Sequence, residues 1–229
     1  FLFIWKYIDT KKDGLTMTQR IQQIQRIVEQ QGITQLVHFT KAENLPSIME
    51  HGIVPISRIG EFGITPATND QLRLDGHLDG TSLSITFPNH RMFYKYRLEN
   101  QGVDWVVLGI KPSILWTKDC AFCRHNAADA RISVKALDDL RLPESLAGMF
   151  SEIDGYETRD GQKLLTSDPT DEQAEVLVFD VIEPELILGA AFNSRTANTL
   201  YQNLFGEKKI ILNDKTNGLF GSRSFKRKW

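Results

Sequence analysis

The sequence predicts an α+β fold with a mostly antiparallel, split sheet and flanking helices. Three observations carry that expectation. Short runs rich in β-branched and aromatic residues recur, as at Trp105–Ile110 and Val176–Phe179. Amphipathic helical patterns lie between some of them but do not alternate with them regularly, so a doubly wound parallel sheet is disfavoured. No internal repeat, heptad run or low-complexity tract is present.

Each element has a local reason. From Thr18, Ile21, Ile24, Ile27 and Val28 recur at helical spacing, and Gly32 marks the stop. Leu36-Val37-His38-Phe39 reads as a short buried strand. A second helix follows, with Asn44 or Glu43 as its cap, Leu45, Ile48 and Met49 as its apolar face and Gly52 as its end. Residues 55–80 hold Pro55, Gly60, Gly63, Pro66, Asn69, Asp70, Asp75, Gly76 and Gly80 and read as a long loop, a feature that in a compact domain is usually functional or mobile. Thr81–Phe87 alternates as a strand and Pro88-Asn89 breaks it. A helix starts within Met92–Tyr96. Residues 118–135 look irregular, and Leu137–Phe150 is helix or loop. The polar stretch 151–174 leads into the strand Val176–Phe179. Ile187–Phe192 is expected as a further strand and Thr196–Leu204 as a short helix.

Composition narrows the function classes. The 229 residues hold 27 Lys+Arg against 29 Asp+Glu, a net charge of −2. The chain as a whole is not a polycation, so any nucleic-acid site must be a local patch. The chain is long enough to bury a core without covalent staples. No run of about 18 apolar residues occurs. The only cysteines, Cys120 and Cys123, do not make a disulfide framework, and a reduced cytoplasmic compartment is the natural reading. Residues 1–16 are read as a non-core extension or mis-called start, and 17–229 as a single domain.

Six segments could carry chemistry, each against a plainer reading. Gln173-Ala174-Glu175 opens a strong strand after a polar loop, and alternation along that strand would put Gln173 and Glu175 on one face. The plain reading is a solvated strand start. His38 and Thr40 share a face of their strand and could line a cleft, where a lone His is more often a satisfied core residue. Asp70-Gln71-Leu72-Arg73-Leu74-Asp75-Gly76 is either a solvated turn or an arginine placed to grip an anionic or polar ligand. The segment Phe87–Arg97 is dense in aromatics and cations, as core or as a stacking surface for a flat ring. Cys120-Ala121-Phe122-Cys123 lacks the second ligand pair of a zinc site, and two buried thiols are the simpler reading. From Lys208 the chain carries Lys208, Lys209, Lys215, Arg223, Lys226, Arg227 and Lys228 against Asp214, either a phosphate-binding tail or a frayed terminus. No Walker loop, G-x-G-x-x-G, H-E-x-x-H or G-x-S-x-G occurs.

In order, these pieces resemble one family. A strand with His38-Phe39-Thr40 precedes Asn44-Leu45 and Ile48, then Gly52-Ile53. Arg73-x-Asp75-Gly76, Ser82-x-Ser84-Ile85, Pro88-Asn89-x-x-Met92-Phe93-Tyr94 and Gln173-x-Glu175-Val176-Leu177 follow. The set, from about Leu36 to Ile187, resembles the DarT family of DNA ADP-ribosyltransferase toxins, whose partner is the macrodomain antitoxin DarG. The resemblance implies an ADP-ribosyltransferase-like split sheet with NAD, the co-substrate, in the cleft between its halves. His38 would hold the adenosine-side ribose, and the Phe39 backbone would read the nicotinamide amide. Thr40 and Asn44 would line the same end, and Met92, Phe93 and Tyr94 would wall the nicotinamide. Glu175 would be the catalytic glutamate and Arg73 the catalytic arginine, with Arg58 a weaker candidate. A fixed carboxylate would stabilise the cationic ribose that forms as nicotinamide leaves. Gln173 would orient the acceptor. Its Q-x-E pattern, and a closer resemblance to the guanine-directed branch, imply guanine in single-stranded DNA, where the base edge is accessible. A monomer is expected, with no metal and no membrane partner. The alternatives are transfer to RNA or protein, NAD hydrolysis, a non-enzymatic nucleic-acid-binding module, and a zinc-stabilised interaction domain.

Overall fold

The computed structural model describes residues 16–63, 77–213 and 218–228. In chain order it forms α1 (Met17–Gln31), β1 (Leu36–Lys41), α2 (Leu45–His51), β2 (Thr81–Ile85), α3 (His90–Glu99), β3 (Trp105–Ile110), α4 (Ile114–Thr117), β4 (Cys120–Cys123), α5 (Ala130–Ser133), α6 (Leu137–Leu140), α7 (Pro143–Gly148), β5 (Glu175–Val178), β6 (Ile187–Phe192), α8 (Arg195–Tyr201), β7 (Lys209–Leu212) and α9 (Arg223–Lys228). The strands join in one seven-stranded sheet, ordered β4-β5-β2-β1-β3-β6-β7. Its ladders are antiparallel except β6 with β7.

Local chemistry sets the helix ends. Thr16 and Gln19 form a reciprocal capping box at the start of α1, and Gly32 closes it in the left-handed region at φ 64°. α2 starts differently from the sequence expectation. Asn44 makes no capping bond there; Pro46, in the first turn, lacks the N–H a cap would serve, and the Asn44 amide goes to Thr40 Oγ1 at 2.9 Å. At α3 the Asn89 side chain does cap, accepting from the Met92 N–H at 3.2 Å.

The sheet is split at its centre. β1 pairs with β3 along six positions but with β2 only at Leu36↔Ile85 and Val37↔Ser84. Beyond that point β1 and β2 part.

One face of the sheet is continuous. Leu36, Leu83, Ile85, Leu108, Phe122, Val176 and Phe192 pack there beneath Ile24 and Val28 of α1, Leu45 and Ile48 of α2, Ile114 and Leu115 of α4, Leu146 of α7 and Ala197 of α8. The other face carries two separate clusters. Val37, Trp105, Val107 and Ala191 pack under Phe93 and Tyr96 of α3 and under Phe220. Ala121, Cys123 and Leu177 pack under Ile132 of α5 and Leu140 of α6. Alternation puts Ser82, Ser84 and Glu175 on this second face, in the strip between the two clusters. The fold thus leaves a polar strip at the split.

Two strands were not expected. β4 falls inside a stretch that reads as irregular, and β7 inside the basic tail. Both have only four residues, too few to show alternation. β4 also decides the cysteine question. Cys120 and Cys123 lie an odd number of residues apart and belong to clusters on opposite faces, so they share no metal. Burial pushes the Cys120 thiol well above its usual range, and its Sγ donates to the Ile114 carbonyl at 3.4 Å.

Candidate active site

Glu175 opens β5 and is 3% exposed. A buried carboxylate needs donors, and this one has them. Its Oε1 accepts from Asn126 Nδ2 at 3.0 Å and its Oε2 from the Ala127 N–H at 3.0 Å. Asn126 is itself fixed, because its Oδ1 accepts from the Ala128 N–H at 3.0 Å. The turn after β4 therefore grips both oxygens of the carboxylate. Continuing the β2–β5 register by one residue sets Glu175 beside Ser84, which pairs with Val37 of β1. Glu175 thus starts about 10 Å from β1, two strand spacings away, at the last paired rung before the split opens.

The same turn holds the approach to Glu175. His125 Nδ1 lies 2.7 Å from Asp171 Oδ2, and both residues are buried. Tyr156 donates its hydroxyl to Asp171 Oδ2 at 3.1 Å. The Gln173 N–H donates to Asp171 Oδ1 at 2.9 Å. Here the sequence expectation needs correcting. Gln173 lies in a turn, closed by the Ala174 N–H on the Asp171 carbonyl, and the strand begins only at Glu175. Strand alternation therefore does not orient Gln173; Asp171 fixes its backbone instead.

Across the split, His38 is half-buried and its Nδ1 lies 3.0 Å from the Ser82 carbonyl of β2. The ring bridges the two strands where their ladder stops. Thr40 is 4% exposed and accepts from Asn44, so these two sit together at the end of β1. Phe39 stacks on Phe93 with ring centroids 4.5 Å apart and planes 16° apart, a contact worth about 0.5–1.5 kcal/mol beyond burial.

Met92, Phe93 and Tyr94 do not form one wall. Successive helix residues point about 100° apart. Phe93 is fully buried beneath Phe39, Met92 packs partly against the same cluster, and Tyr94 is half-exposed between His90 and Arg97. Arg73 lies outside the described residues. Arg58 pairs with Glu61 at 3.0 Å and feels the charge of Asp180, which lies beyond the end of β5 remote from Glu175.

The N-terminal end of α3 places buried polar atoms beside the strip. The Asn89 N–H donates to Ser84 Oγ at 3.1 Å. Among the described residues, the buried Asn89 Nδ2 and His90 Nδ1 have no hydrogen-bond partner. Burial lowers the His90 pKa and favours the neutral ring.

Sequence reading missed His125, Asn126, Ala127 and Asp171. His125 stands two residues past Cys123, outside any motif that marks a site. Asn126 meets Glu175 across 49 residues of chain, and no local pattern announces such a pairing. It also misjudged the tail. Arg223 and Arg227 are neither frayed nor free for phosphate: Arg223 is 5% exposed, and Arg227 makes two bonds to the Asp168 carboxylate.

Three comparisons place this geometry. No curated protein matches the chain in sequence. Among solved structures it is similar to Thermosipho africanus DarTG in complex with ADP-ribose, at 19% identity and a TM-score of 0.54 over 82% of this chain. It covers 51% of that protein, about half its length. It is also similar to Thermus sp. 2.9 DarT in complex with carba-NAD+, at 15% identity and a TM-score of 0.52, covering 80% of this chain and 97% of that one. The same Thermus protein in complex with ADP-ribosylated ssDNA gives 13% identity and a TM-score of 0.51, over 80% of this chain and 95% of that one. At these identities the likeness establishes the fold. A family model described as "ssDNA thymidine ADP-ribosyltransferase, DarT" matches residues 37–217. With most of the chain inside that match, and the split sheet in place, the protein belongs to the DarT family of NAD-dependent ssDNA ADP-ribosyltransferases.

Proposed function

We propose that this protein transfers ADP-ribose from NAD to a base of single-stranded DNA, with guanine as the acceptor and Glu175 as the catalytic carboxylate. The observation that carries the reading is the Glu175 carboxylate, buried at the sheet split with both oxygens held by Asn126 and Ala127. In the reaction the nicotinamide–ribose bond breaks and nicotinamide leaves with the bonding pair. A ring or exocyclic nitrogen of the base then bonds to the ribose carbon and loses a proton. Positive charge grows on the ribose as the first bond lengthens, and a carboxylate already fixed in place stabilises it without reorganising.

The other residues take roles consistent with their neighbours. His38 and the Phe39 backbone hold the ribose and the nicotinamide amide, with Thr40 and Asn44 at the same end. Asn89, His90, Met92 and Tyr94 line the α3 side, and Phe93 supports Phe39 from beneath. Gln173 orients the acceptor, and Arg73 assists proton removal. Guanine rests on the Q-x-E pattern, whose amide can both donate and accept at a base edge. Thymine is the second reading, favoured by the wording of the family description. We also propose that the chain acts in the cytoplasm as the monomeric toxin of a toxin–antitoxin pair, restrained by a DarG-type macrodomain. The similarity to a DarTG supports the antitoxin pairing, and the similarity to a DarT complexed with ADP-ribosylated ssDNA supports the substrate.

The base panel is the test. Single-stranded oligonucleotides, each lacking one base, are incubated with NAD and the purified chain, and the products are digested to nucleosides for mass spectrometry. ADP-ribosyl-deoxyguanosine, absent only from the strand without guanine, is expected. Modification confined to thymine-containing strands would replace guanine with thymine. Modification of RNA or protein alone would overturn the DNA reading.

A further inference from the structure

The basic C-terminal end is built into the loop that precedes Glu175. Asp168 in that loop is fully buried. Its Oδ2 accepts from Arg227 Nε at 2.6 Å and from the Leu165 N–H at 2.9 Å, and its Oδ1 accepts from Arg227 Nη2 at 2.8 Å. Arg223, one helical turn earlier on the same side of α9, donates to the carbonyls of Pro169 at 2.7 Å and Thr170 at 3.4 Å. From within the loop, Arg159 donates to the carbonyls of Leu165 and Asp168 and to Thr170 Oγ1, at 2.8–2.9 Å. A loop without regular structure must find partners for its buried carbonyls. Here two guanidinium groups provide them, Arg159 from within the loop and Arg223 from α9, while Arg227 holds the Asp168 carboxylate.

The same terminal segment reaches the opposite wall. Arg97 of α3 donates to the Phe220 carbonyl at 2.7 Å, and the Phe220 ring lies 5.4 Å from that of Phe93. Residues 218–228 thus join α3 to the loop that ends at Asp171–Gln173. Within that loop the dependence is unequal. Glu175 has further holds in the β5 ladder and in Asn126 and Ala127, whose turn touches the loop through His125 and Asp171. Gln173 is tied by its backbone to Asp171, three residues past Asp168.

We propose that α9 is a positioning element for the acceptor: Arg223 and Arg227 fix residues 165–173 and so set how ADP-ribose divides between the DNA base and water. This rests on the transfer reaction proposed above. Loosening the clamp frees the residue that orients the base and leaves in place the carboxylate that stabilises the ribose. DNA transfer then falls while NAD hydrolysis persists. Destabilisation of the whole fold would lower both in step.

The test compares the full chain with Arg227→Gln, Arg227→Lys, Asp168→Asn and the Arg227→Gln/Asp168→Asn pair. Amide hydrogen exchange is read by mass spectrometry, and nicotinamide release is divided between DNA-bound and free ADP-ribose. For Arg227→Gln the expectation is exchange at least ~10-fold faster in 165–173 with β1 and β3 unchanged, and a transfer-to-hydrolysis ratio reduced about 10-fold or more. The double variant should be no worse than the single, since the partners form one interaction. Arg227→Lys, which keeps the charge but loses the two-pronged geometry, should fall between wild type and Arg227→Gln. Unchanged exchange in 165–173 would overturn the clamp, as would loss of transfer and hydrolysis in equal proportion. If the wild type hydrolyses NAD but modifies no DNA, the transfer reading fails, and the exchange measurement alone then decides whether α9 holds the loop.

Discussion

Asn126 is the residue on which the candidate site turns. Its amide donates to one oxygen of Glu175 while its own carbonyl is fixed by the Ala128 N–H, so it presents the carboxylate in one orientation. Asn126→Ala removes that donor and leaves the Ala127 N–H in place. A hydrogen bond to a charged group is worth about 1.5–3 kcal/mol, so transfer should slow roughly 10- to 100-fold. Initial rates at saturating NAD, measured beside a thermal melt, check this. A rate loss of that size is expected together with a melting temperature lowered by roughly 3–10 °C in a protein still folded at the assay temperature, and full activity would show that Asn126 does not orient Glu175. Little of this was legible beforehand. The sequence marks Glu175 by its place at the head of an apolar strand, and His38 by its place within another. The residues that hold Glu175 have no such mark, because their pairing is made by β4 lying beside β5 in the sheet.

Among the elements, α3 ties the sheet split to the terminal segment. Asn89 caps it and bonds Ser84, Phe93 and Tyr96 anchor its buried side, and His90 lies at its first turn against the Gly221 backbone. Burial is the largest influence on His90 and lowers its pKa below the ordinary 6.5. The unfolded chain therefore binds this proton more readily than the folded one. Stability is unaffected by His90 above about pH 6.5 and falls as the pH drops below it toward the folded value. Wild type should lose more melting temperature between pH 7.5 and pH 5.5 than His90→Gln, and equal losses would contradict the assignment. The longer elements were legible: α1 appears where its helical spacing puts it and β3 and β6 where continuous apolar runs put them, while α3 begins at His90, two residues before the expected Met92. The four-residue strands β4 and β7 were not, since two apolar positions on a face fit helix, strand or loop alike. The polar stretch 151–174 read as an open loop, because carbonyls bonded by distant arginines leave no trace in local composition.

Across the whole molecule, one face of the sheet is sealed and the other is interrupted at the split. Ser82, Ser84 and Glu175 lie in that interruption, with His38 bridging the strands beside it. The near-neutral total charge hides a local distribution in which two of the tail's cations, Arg223 and Arg227, are held inside the fold. The fold class was legible from the irregular succession of strands and helices. The site required the family pattern as well, because no single motif distinguishes a catalytic glutamate from a solvated strand start. Among the described residues no helix is long and apolar enough to cross a membrane. The most direct test of the central claim is the mass of a single-stranded oligonucleotide of mixed base content after incubation with NAD and either wild type or Glu175→Gln. The account predicts an added ADP-ribose with wild type and a rate lower by about 10²–10³ or more with a folded Glu175→Gln variant. An unmodified oligonucleotide with folded wild type, or equal modification by the variant, would contradict it.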